Sequence, residues 1–240
     1  MPTIAQRRAA RLAATVALIA LVSSGCGGGT KTNAAQTTNA AQTNGLEKQS
    51  AAQVEQAAAA ALKGAKSVHM TGAARNQDKP VQVDLRIQGN ASTGTMQLEG
   101  GKLGITTIGS ATYLKAGQQT WEALGVPAAA SQRLANRWVK TRPQQVSGLT
   151  GFTLENLAAQ LTKNDSPLEP KVQQTTLDGK KVVVVSHKDG SKLYVANTGP
   201  AYPLRAEKQG SEAGRVDLTE YGVDFHITAP SNVMDLGKSG

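Results

Sequence analysis

The stretch Val81-Gln82-Val83-Asp84-Leu85-Arg86-Ile87-Gln88 decides the fold. Every second residue in it is a branched apolar one, and the residues between are polar or charged. Successive side chains of a strand point to opposite faces, so this alternation predicts a strand with one buried and one solvated face. A sheet of such strands needs cover on one side only, which helices can supply.

Neighbouring segments extend this sheet in both directions along the chain. The alternation returns through Met96 and Leu98, and Asp178-Gly179 and Asp189-Gly190 favour tight hairpin turns, where positive φ is needed. Further strands are predicted at 67–74, 103–108, 111–115, 172–177, 181–186, 192–196, 204–209, 215–221 and 225–228. Helices are predicted at 47–63, within 119–138 and after the capping residue Thr153. Strands, then helices, then strands predict an α+β fold, one antiparallel sheet with helices packed on one face.

The N-terminal residues 1–25 have the organisation of a secretory signal peptide. Arg7, Arg8 and Arg11 precede the apolar run Leu12–Val22. That run has 11 residues, whereas crossing the hydrocarbon core takes about 20. The small residues just before Cys26 predict cleavage between Gly25 and Cys26.

Cys26 is the only cysteine in the chain, so it has no disulfide partner within it. Its position is similar to the lipid-carrying cysteine of the bacterial lipoprotein lipobox, although Ser23 stands where that motif has leucine. The resemblance implies S-diacylglycerol and N-acyl attachment at Cys26 and a membrane anchor on the extracytoplasmic face. Ordinary cleavage, for example after Ser24, is the alternative and would leave an unpaired thiol.

Composition divides the rest of the chain into three parts. Residues 26–47 contain almost no large apolar side chain, which predicts a flexible polar tether. Residues 48–236 are long enough for one domain with a substantial core. Residues 237–240 are predicted to be a short tail.

The charge and the motifs argue against several functional classes. The chain has 26 basic and 17 acidic residues, and three of the arginines lie in residues 1–25. Removal of that segment leaves 23 basic and 17 acidic residues, which is a net charge of +6. This charge is not clustered, so no nucleic-acid partner is expected. No nucleophile–base motif, metal-ligand spacing or phosphate loop is visible, and His69, His187 and His226 are predicted to be ordinary strand or turn residues. We therefore expect no catalytic residue, no metal, no cofactor and no enzymatic activity.

Four short motifs resemble a known group of proteins. They are Ala65-Lys66-Ser67-Val68-His69-Met70-Thr71-Gly72, Ala111-Thr112-Tyr113-Leu114-Lys115 with a later Trp, Leu193-Tyr194-Val195, and Tyr202-Pro203-Leu204-Arg205. With Cys26 and the polar tether, they are similar to the actinobacterial LppX/LprAFG lipoproteins of the lipoprotein-carrier (LolA-like) superfamily. The resemblance implies a curved antiparallel sheet, a half-barrel, with helices packed on its concave face and space for a lipid or acyl chain between sheet and helices.

Candidate cavity residues are the apolar side chains on the buried face of the predicted strands. They are Val81, Val83, Leu85, Ile87, Met96, Leu98, Val183, Val185, Leu193 and Val195. The alternative is that these side chains fill the core at normal density and leave no cavity. In that case the domain would be a protein-interaction or sensor module with a protein partner in the cell envelope.

Overall fold

The computed structural model describes residues 42–76, 79–141, 151–163, 166–210 and 213–235. Within these ranges four α-helices accompany one sheet of 12 strands. The helices are α1 Ala51–Gly64, α2 Gln118–Ala123, α3 Ala128–Leu134 and α4 Leu154–Leu161. The strands are β1 Ser67–Asn76, β2 Lys79–Gln88, β3 Ala91–Leu98, β4 Gly101–Ile108, β5 Ala111–Ala116, β6 Trp138–Thr141, β7 Gln173–Leu177, β8 Lys180–Ser186, β9 Lys192–Ala196, β10 Pro203–Lys208, β11 Gly214–Thr219 and β12 Val233–Asp235.

The sheet is open, with β12 and β7 at its two edges. The strand order is β12-β6-β5-β4-β3-β2-β1-β11-β10-β9-β8-β7. All neighbours are antiparallel except β12 and β6, which are parallel. The meander β1–β5 and the meander β7–β11 therefore join side by side where β1 pairs with β11. The predicted α+β class with an antiparallel sheet and packed helices is confirmed.

Two helices, α1 and α4, pack against each other, and α1 also contacts β8, β9 and β10. The start of α1 is fixed by a capping box in which the side chains of Ser50 and Gln53 bond each other's backbone N–H groups. Thr153 caps α4 as predicted, accepting a bond from the backbone N–H of Asn156 at 3.1 Å. The apolar stripes of both helices lie in the two hydrophobic clusters that cover one face of the sheet.

Glycines allow neighbouring strands to approach closely at two points. A Cβ atom at Gly94, where φ is +153°, would lie 2.0 Å from the carbonyl oxygen of Asp84 on β2. A Cβ atom at Gly72 on β1 would lie 2.1 Å from the carbonyl oxygen of Arg215 on β11. Strand glycines at such points mark sharp bends and close backbone contact, as a curved sheet requires.

The folded domain begins before the predicted boundary at residue 48. The backbone N–H of Asn44 donates to Asn197 O at 3.1 Å, and its side chain donates to Ala196 O at 3.0 Å. Leu46, in a single turn of 3-10 helix, is buried with 4% exposure. Residues 44–47 therefore belong to the domain, to which they are attached by the hydrogen bonds of Asn44 and the burial of Leu46. Cys26 and the predicted signal peptide and tail lie outside the described residues.

Other corrections concern short elements. The predicted strand at 225–228 is wrong: these residues form a non-helical connection, and the next strand is β12. Strands β6 and β12 were not predicted. Each has four residues or fewer, and their pairing joins segments about a hundred residues apart, which local alternation does not reveal.

Candidate functional site

A cavity of about 400 Å³, partly open to solvent, lies between the sheet and the ends of α1 and α4. Its apolar floor is formed by small and medium side chains on β1, β9, β10 and β11. These residues are Ala74, Leu193, Ala206, Gly214 and Val216. The volume falls in the range of about 300–1,000 Å³ that is typical of small-molecule sites.

The floor exists because the strand register brings small residues together. Ala206 pairs with Val216 and with Leu193, and Ala74 pairs with Gly214. A Cβ atom at Gly214 would lie only 2.6 Å from Ala74 Cα, so this position has no room for a side chain. Paired residues share one face of a sheet. Because Ala74, Ala206 and Gly214 have small side chains or none, the space above them is not filled.

The same register places the ten predicted cavity residues on one face. A continuous row runs through Val185, Leu193, Ala206, Val216, Gly72, Val83 and Met96 across seven strands. The other predicted residues lie two or four positions from a member of this row on the same strand, so they share its face. They are Val81, Leu85 and Ile87 on β2, Leu98 on β3, Val183 on β8 and Val195 on β9. The sequence alternation thus identified the face that the helices cover.

Only Leu193 among the ten lines the cavity formed by the described residues. Leu85 and Ile87 are fully buried in one hydrophobic cluster, and Val183, Val185 and Val195 in the other. Val83 and Leu98 are half-buried against the first cluster. Met96 is 7% exposed, and Val81 is half-buried. Most of the candidates therefore build the packed core beside the cavity.

One side of the cavity carries a polar wall, defined by Glu55, Ser166, His187 and Ser191. Glu55 Oε1 on α1 lies 3.0 Å from His187 Nε2, and each side chain is 7% exposed. His187 Nδ1 lies 3.2 Å from the carbonyl oxygen of Ser166, to which it donates. The pair links α1 to the turn between β8 and β9.

Sequence reasoning missed this wall. His187 was predicted to be an ordinary strand or turn residue, and Glu55 was not singled out. Glu55 follows Val54 directly in the apolar stripe of α1, yet it is only 5% exposed. In the sequence, a glutamate beside an apolar stripe is expected at the edge of the helix's solvent-exposed face. The burial of Glu55 becomes visible only when the fold places His187 beside it.

Charges of both signs surround the cavity. Arg75, Lys163, Lys192 and Lys208 line it together with Asp189 and Glu207. The backbone N–H of Ser191 donates to Asp189 Oδ1 at 2.9 Å. This bond is the main reason that the pKa of the Asp189 carboxyl lies below its ordinary value, so Asp189 is ionised at neutral pH.

A second histidine–carboxylate cluster lies on the opposite face of the sheet. His69 Nε2 is 2.7 Å from Asp84 Oδ1, and His69 Nδ1 is 3.5 Å from Glu220 Oε2. Both carboxylates are about half exposed, at 56% and 48%.

Among the described residues, no group of three His, Cys, Asp or Glu side chains is arranged to hold a metal ion. Nor does any helix in those ranges have the length and apolar character needed to span a membrane.

The chain is similar to several solved structures. LprF from Mycobacterium bovis superposes with a TM-score of 0.52 at 18% sequence identity, over 75% of this chain and 96% of that one. The Mycobacterium tuberculosis lipoprotein LppX gives a TM-score of 0.49 at 13% identity, over 74% and 98%. The MucA/MucB complex of Pseudomonas aeruginosa gives 0.35 at 15% identity, over 76% and 62%. No protein-family model and no curated protein sequence matches the chain. The resemblance inferred from the motifs is confirmed for the fold, which this chain shares with LprF.

Proposed function

Proceeding from the fold shared with LprF, we propose that this chain is an extracytoplasmic lipoprotein of the LppX/LprAFG type. It is anchored to the membrane through lipidated Cys26, and it binds or carries a lipid or acyl-chain ligand between sheet and helices. Its role is binding and not catalysis. The residues before Asn44 connect the anchor to the domain.

The cavity is the single observation that carries this proposal. Its floor, Ala74, Leu193, Ala206, Gly214 and Val216, presents apolar side chains and bare backbone on the helix-covered face. Leu161 at the end of α4 also lines it. An acyl chain is narrow, flexible and apolar, so it can follow such a space and exclude water from it.

The energetics favour a chain over a small polar molecule. Burying one methylene contributes about 0.8 kcal/mol, so ten methylenes contribute about 8 kcal/mol. That gain must offset roughly 4–15 kcal/mol of lost translational and rotational freedom. A single acyl chain of ordinary length therefore reaches a useful affinity only when most of it is buried and its polar end is also bonded.

Ligand uptake by the soluble domain tests the proposal. The chain from residue 26 onward, carrying Cys26→Ala, is mixed with palmitate or with 1-monopalmitoylglycerol and measured by native mass spectrometry. We expect one bound amphiphile per chain. Absence of uptake of either lipid would contradict the proposal.

A matched pair of variants locates the binding. Ala206→Trp places an indole on the cavity floor and should abolish uptake. Ala73→Trp adds the same indole on β1, where Ala73 is exposed and on the other face of the sheet, and should leave uptake unchanged. Equal uptake by the two variants would show that the ligand does not lie over Ala206 on the cavity floor.

The second candidate function is an interaction or sensor module of the cell envelope. It is favoured by the dense packing of Leu85, Ile87, Val183, Val185 and Val195, which are all 0% exposed. If this alternative holds, in-cell crosslinking should capture a protein partner, and the purified domain should take up no acyl probe.

A further inference from the structure

The strands β3 to β6 contain three lysines and no acidic residue. The lysines are Lys102, Lys115 and Lys140, and the register of neighbouring strands brings them to one part of the sheet. Each of them directly adjoins a buried apolar residue in its own strand. Because successive side chains point to opposite faces, all three lie on the face that the helices do not cover. A positive charge that is dispersed in the sequence is therefore clustered in the fold.

Two aromatic side chains lie on this face among the lysines. Tyr113 on β5 pairs with Lys140 on β6, and Trp138 precedes Lys140 by two residues on the same strand. A Cβ atom at Gly104 on β4 would lie 3.4 Å from Trp138 Cη2, so the indole extends from β6 across β5 to β4. Both rings are half-buried and keep part of their surface exposed. We call Lys102, Lys115, Lys140, Tyr113 and Trp138 the basic aromatic face.

The other half of the same face has its charges paired. Arg205 and Arg215 on β10 and β11 both bond the carboxylate of Asp217. His69 on β1 lies 2.7 Å from Asp84 on β2. Cationic groups there are bonded to carboxylates of neighbouring strands, so that half offers little net charge to a partner.

The basic aromatic face keeps most of its charge. Lys102 and Lys115 are exposed. The edge strand β12 supplies one carboxylate, Asp235, which lies 3.7 Å from Lys140. This ion pair offsets part of the charge of Lys140, and two exposed lysines remain beside the aromatic rings.

Lysines around amphipathic aromatic rings match the surface of an anionic bilayer. Tryptophan and tyrosine rings prefer the headgroup level, where one end of the ring is in apolar surroundings and the other is hydrated. Lysine stems can cover apolar surface while the ammonium group stays in water. Each lysine near an anionic membrane surface strengthens binding roughly fivefold.

The proposed lipid anchor selects a bilayer among the possible anionic partners, and this step rests on that proposal. Asn44 lies 18 residues beyond Cys26, so even a fully extended chain between them spans no more than about 65 Å. A lipid on Cys26 would thus keep the domain close to a membrane surface. A second copy of this chain is a poor partner, because self-pairing through this face would oppose lysine to lysine.

We propose that the basic aromatic face docks the domain on an anionic lipid surface. Trp138 and Tyr113 lie at the level of the headgroups, and Lys102 and Lys115 contact the lipid phosphates. Docking involves the face of the sheet opposite the cavity, so it is independent of any ligand held beneath the helices.

Vesicle binding by the chain from residue 26 carrying Cys26→Ala tests this docking without the lipid anchor. Sedimentation compares vesicles of equimolar phosphatidylcholine and phosphatidylglycerol with vesicles of phosphatidylcholine alone. The two exposed lysines predict binding to the anionic vesicles at least about thirtyfold tighter. High salt should remove most of this preference, because it screens exposed charges.

Two triple variants with the same change in net charge locate the binding surface. The first carries Lys102→Gln, Lys115→Gln and Lys140→Gln and should bind anionic vesicles no better than neutral ones. The second carries Lys171→Gln, Lys180→Gln and Lys188→Gln, at exposed positions elsewhere on the domain, and should keep the parental preference.

Tryptophan fluorescence reports the position of the aromatic rings. The chain has two tryptophans, and Trp121 is only 4% exposed. In Trp121→Phe the emission comes from Trp138 alone, and lipids brominated on their acyl chains should quench it in anionic vesicles. In Trp138→Leu the emission of Trp121 should not be quenched.

The outcomes separate this inference from the proposed function. Equal binding to both kinds of vesicle, or an equal loss in the two triple variants, overturns the docking proposal. Tighter binding of a single-stranded oligonucleotide than of anionic vesicles overturns it in favour of a nucleic-acid partner. Uptake of palmitate or 1-monopalmitoylglycerol should be the same in the first triple variant as in its parent, so loss of vesicle binding with intact uptake removes this inference alone.

Discussion

The side chains of Glu55 and His187 form a buried hydrogen-bonded pair that joins α1 to the residue after β8 across one wall of the cavity. Their atoms Oε1 and Nε2 lie 3.0 Å apart, with 7% of each side chain exposed. The pair connects the helical cover to the sheet, and both of its side chains line the cavity. It therefore contributes to the shape of the cavity as well as to its polarity.

Removing one partner should destabilise the domain strongly. Glu55→Leu leaves the His187 ring without its carboxylate in a buried site, and such changes cost about 3–5 kcal/mol. The free energy of unfolding in urea measures this loss. Asp84→Ala, in an ion pair whose carboxylate is half exposed, should cost no more than about 1 kcal/mol. A Glu55→Leu domain as stable as its parent would show that the pair is not structural.

Gly94 should not tolerate a side chain. In Gly94→Ala the new Cβ would lie 2.0 Å from Asp84 O and 2.9 Å from Leu85 Cα, both backbone atoms. We expect a loss of about 2–4 kcal/mol, visible as a lower urea midpoint. Gly64→Ala is the control, because its Cβ meets nothing within 4 Å. That variant should gain about 0.4–1 kcal/mol, and a similar loss in both would contradict the steric explanation.

The stability should fall at alkaline pH partly because of Tyr221. Its ring stacks on Tyr202 with centroids 4.0 Å apart, and its hydroxyl donates to Pro203 O. Burial, with a smaller contribution from Tyr202, raises the pKa of Tyr221 above its ordinary value. The folded state therefore favours the protonated phenol. Its contribution to stability is complete below about pH 10, the pKa in the unfolded chain, and is lost as the pH rises further.

Tyr221→Phe should reduce this alkaline loss. Urea midpoints measured between pH 8 and 11 should fall less steeply in the variant, whereas its stability at neutral pH drops by about 1 kcal/mol for the lost hydrogen bond. Identical slopes for Tyr221→Phe and the parent would exclude Tyr221 as the source.

Cys26→Ala should release the protein from the membrane. A thioether-linked lipid is the proposed anchor, so the variant should lose incorporation of labelled fatty acid and appear in the soluble fraction. The unaltered chain, treated in parallel, should sediment with membranes. If the variant still sediments after a carbonate wash, the proposed anchor is wrong.

The sequence predicted the sheet well where the signal was local. The alternation from Val81 to Ile87 identified β2 and the face that is buried. Asp178 and Gly179 both adopt positive φ, at 50° and 78°, as their hairpin requires. At the second turn only Gly190, at 87°, does so, and five residues, 187–191, separate β8 from β9 instead of two.

The cavity could not be predicted in the same way. Its floor depends on Ala74, Ala206 and Gly214 meeting on neighbouring strands, and small residues give no periodic hydrophobic signal. The pairing of Glu55 with His187 is likewise non-local, since it joins the first helix to a turn far along the chain. Local patterns therefore identified the covered face of the sheet but not the place where its cover is incomplete.

Photocrosslinking with a palmitoylglycerol analogue that carries a diazirine on its chain tests the central claim most directly. The adducts are located by peptide mass spectrometry on the chain from residue 26 carrying Cys26→Ala. The account predicts adducts on the cavity residues Leu161, Leu193 and Val216, and their loss in Ala206→Trp. Adducts confined to the opposite face of the sheet, at residues such as Tyr194 or Thr71, or no adducts at all, would contradict it.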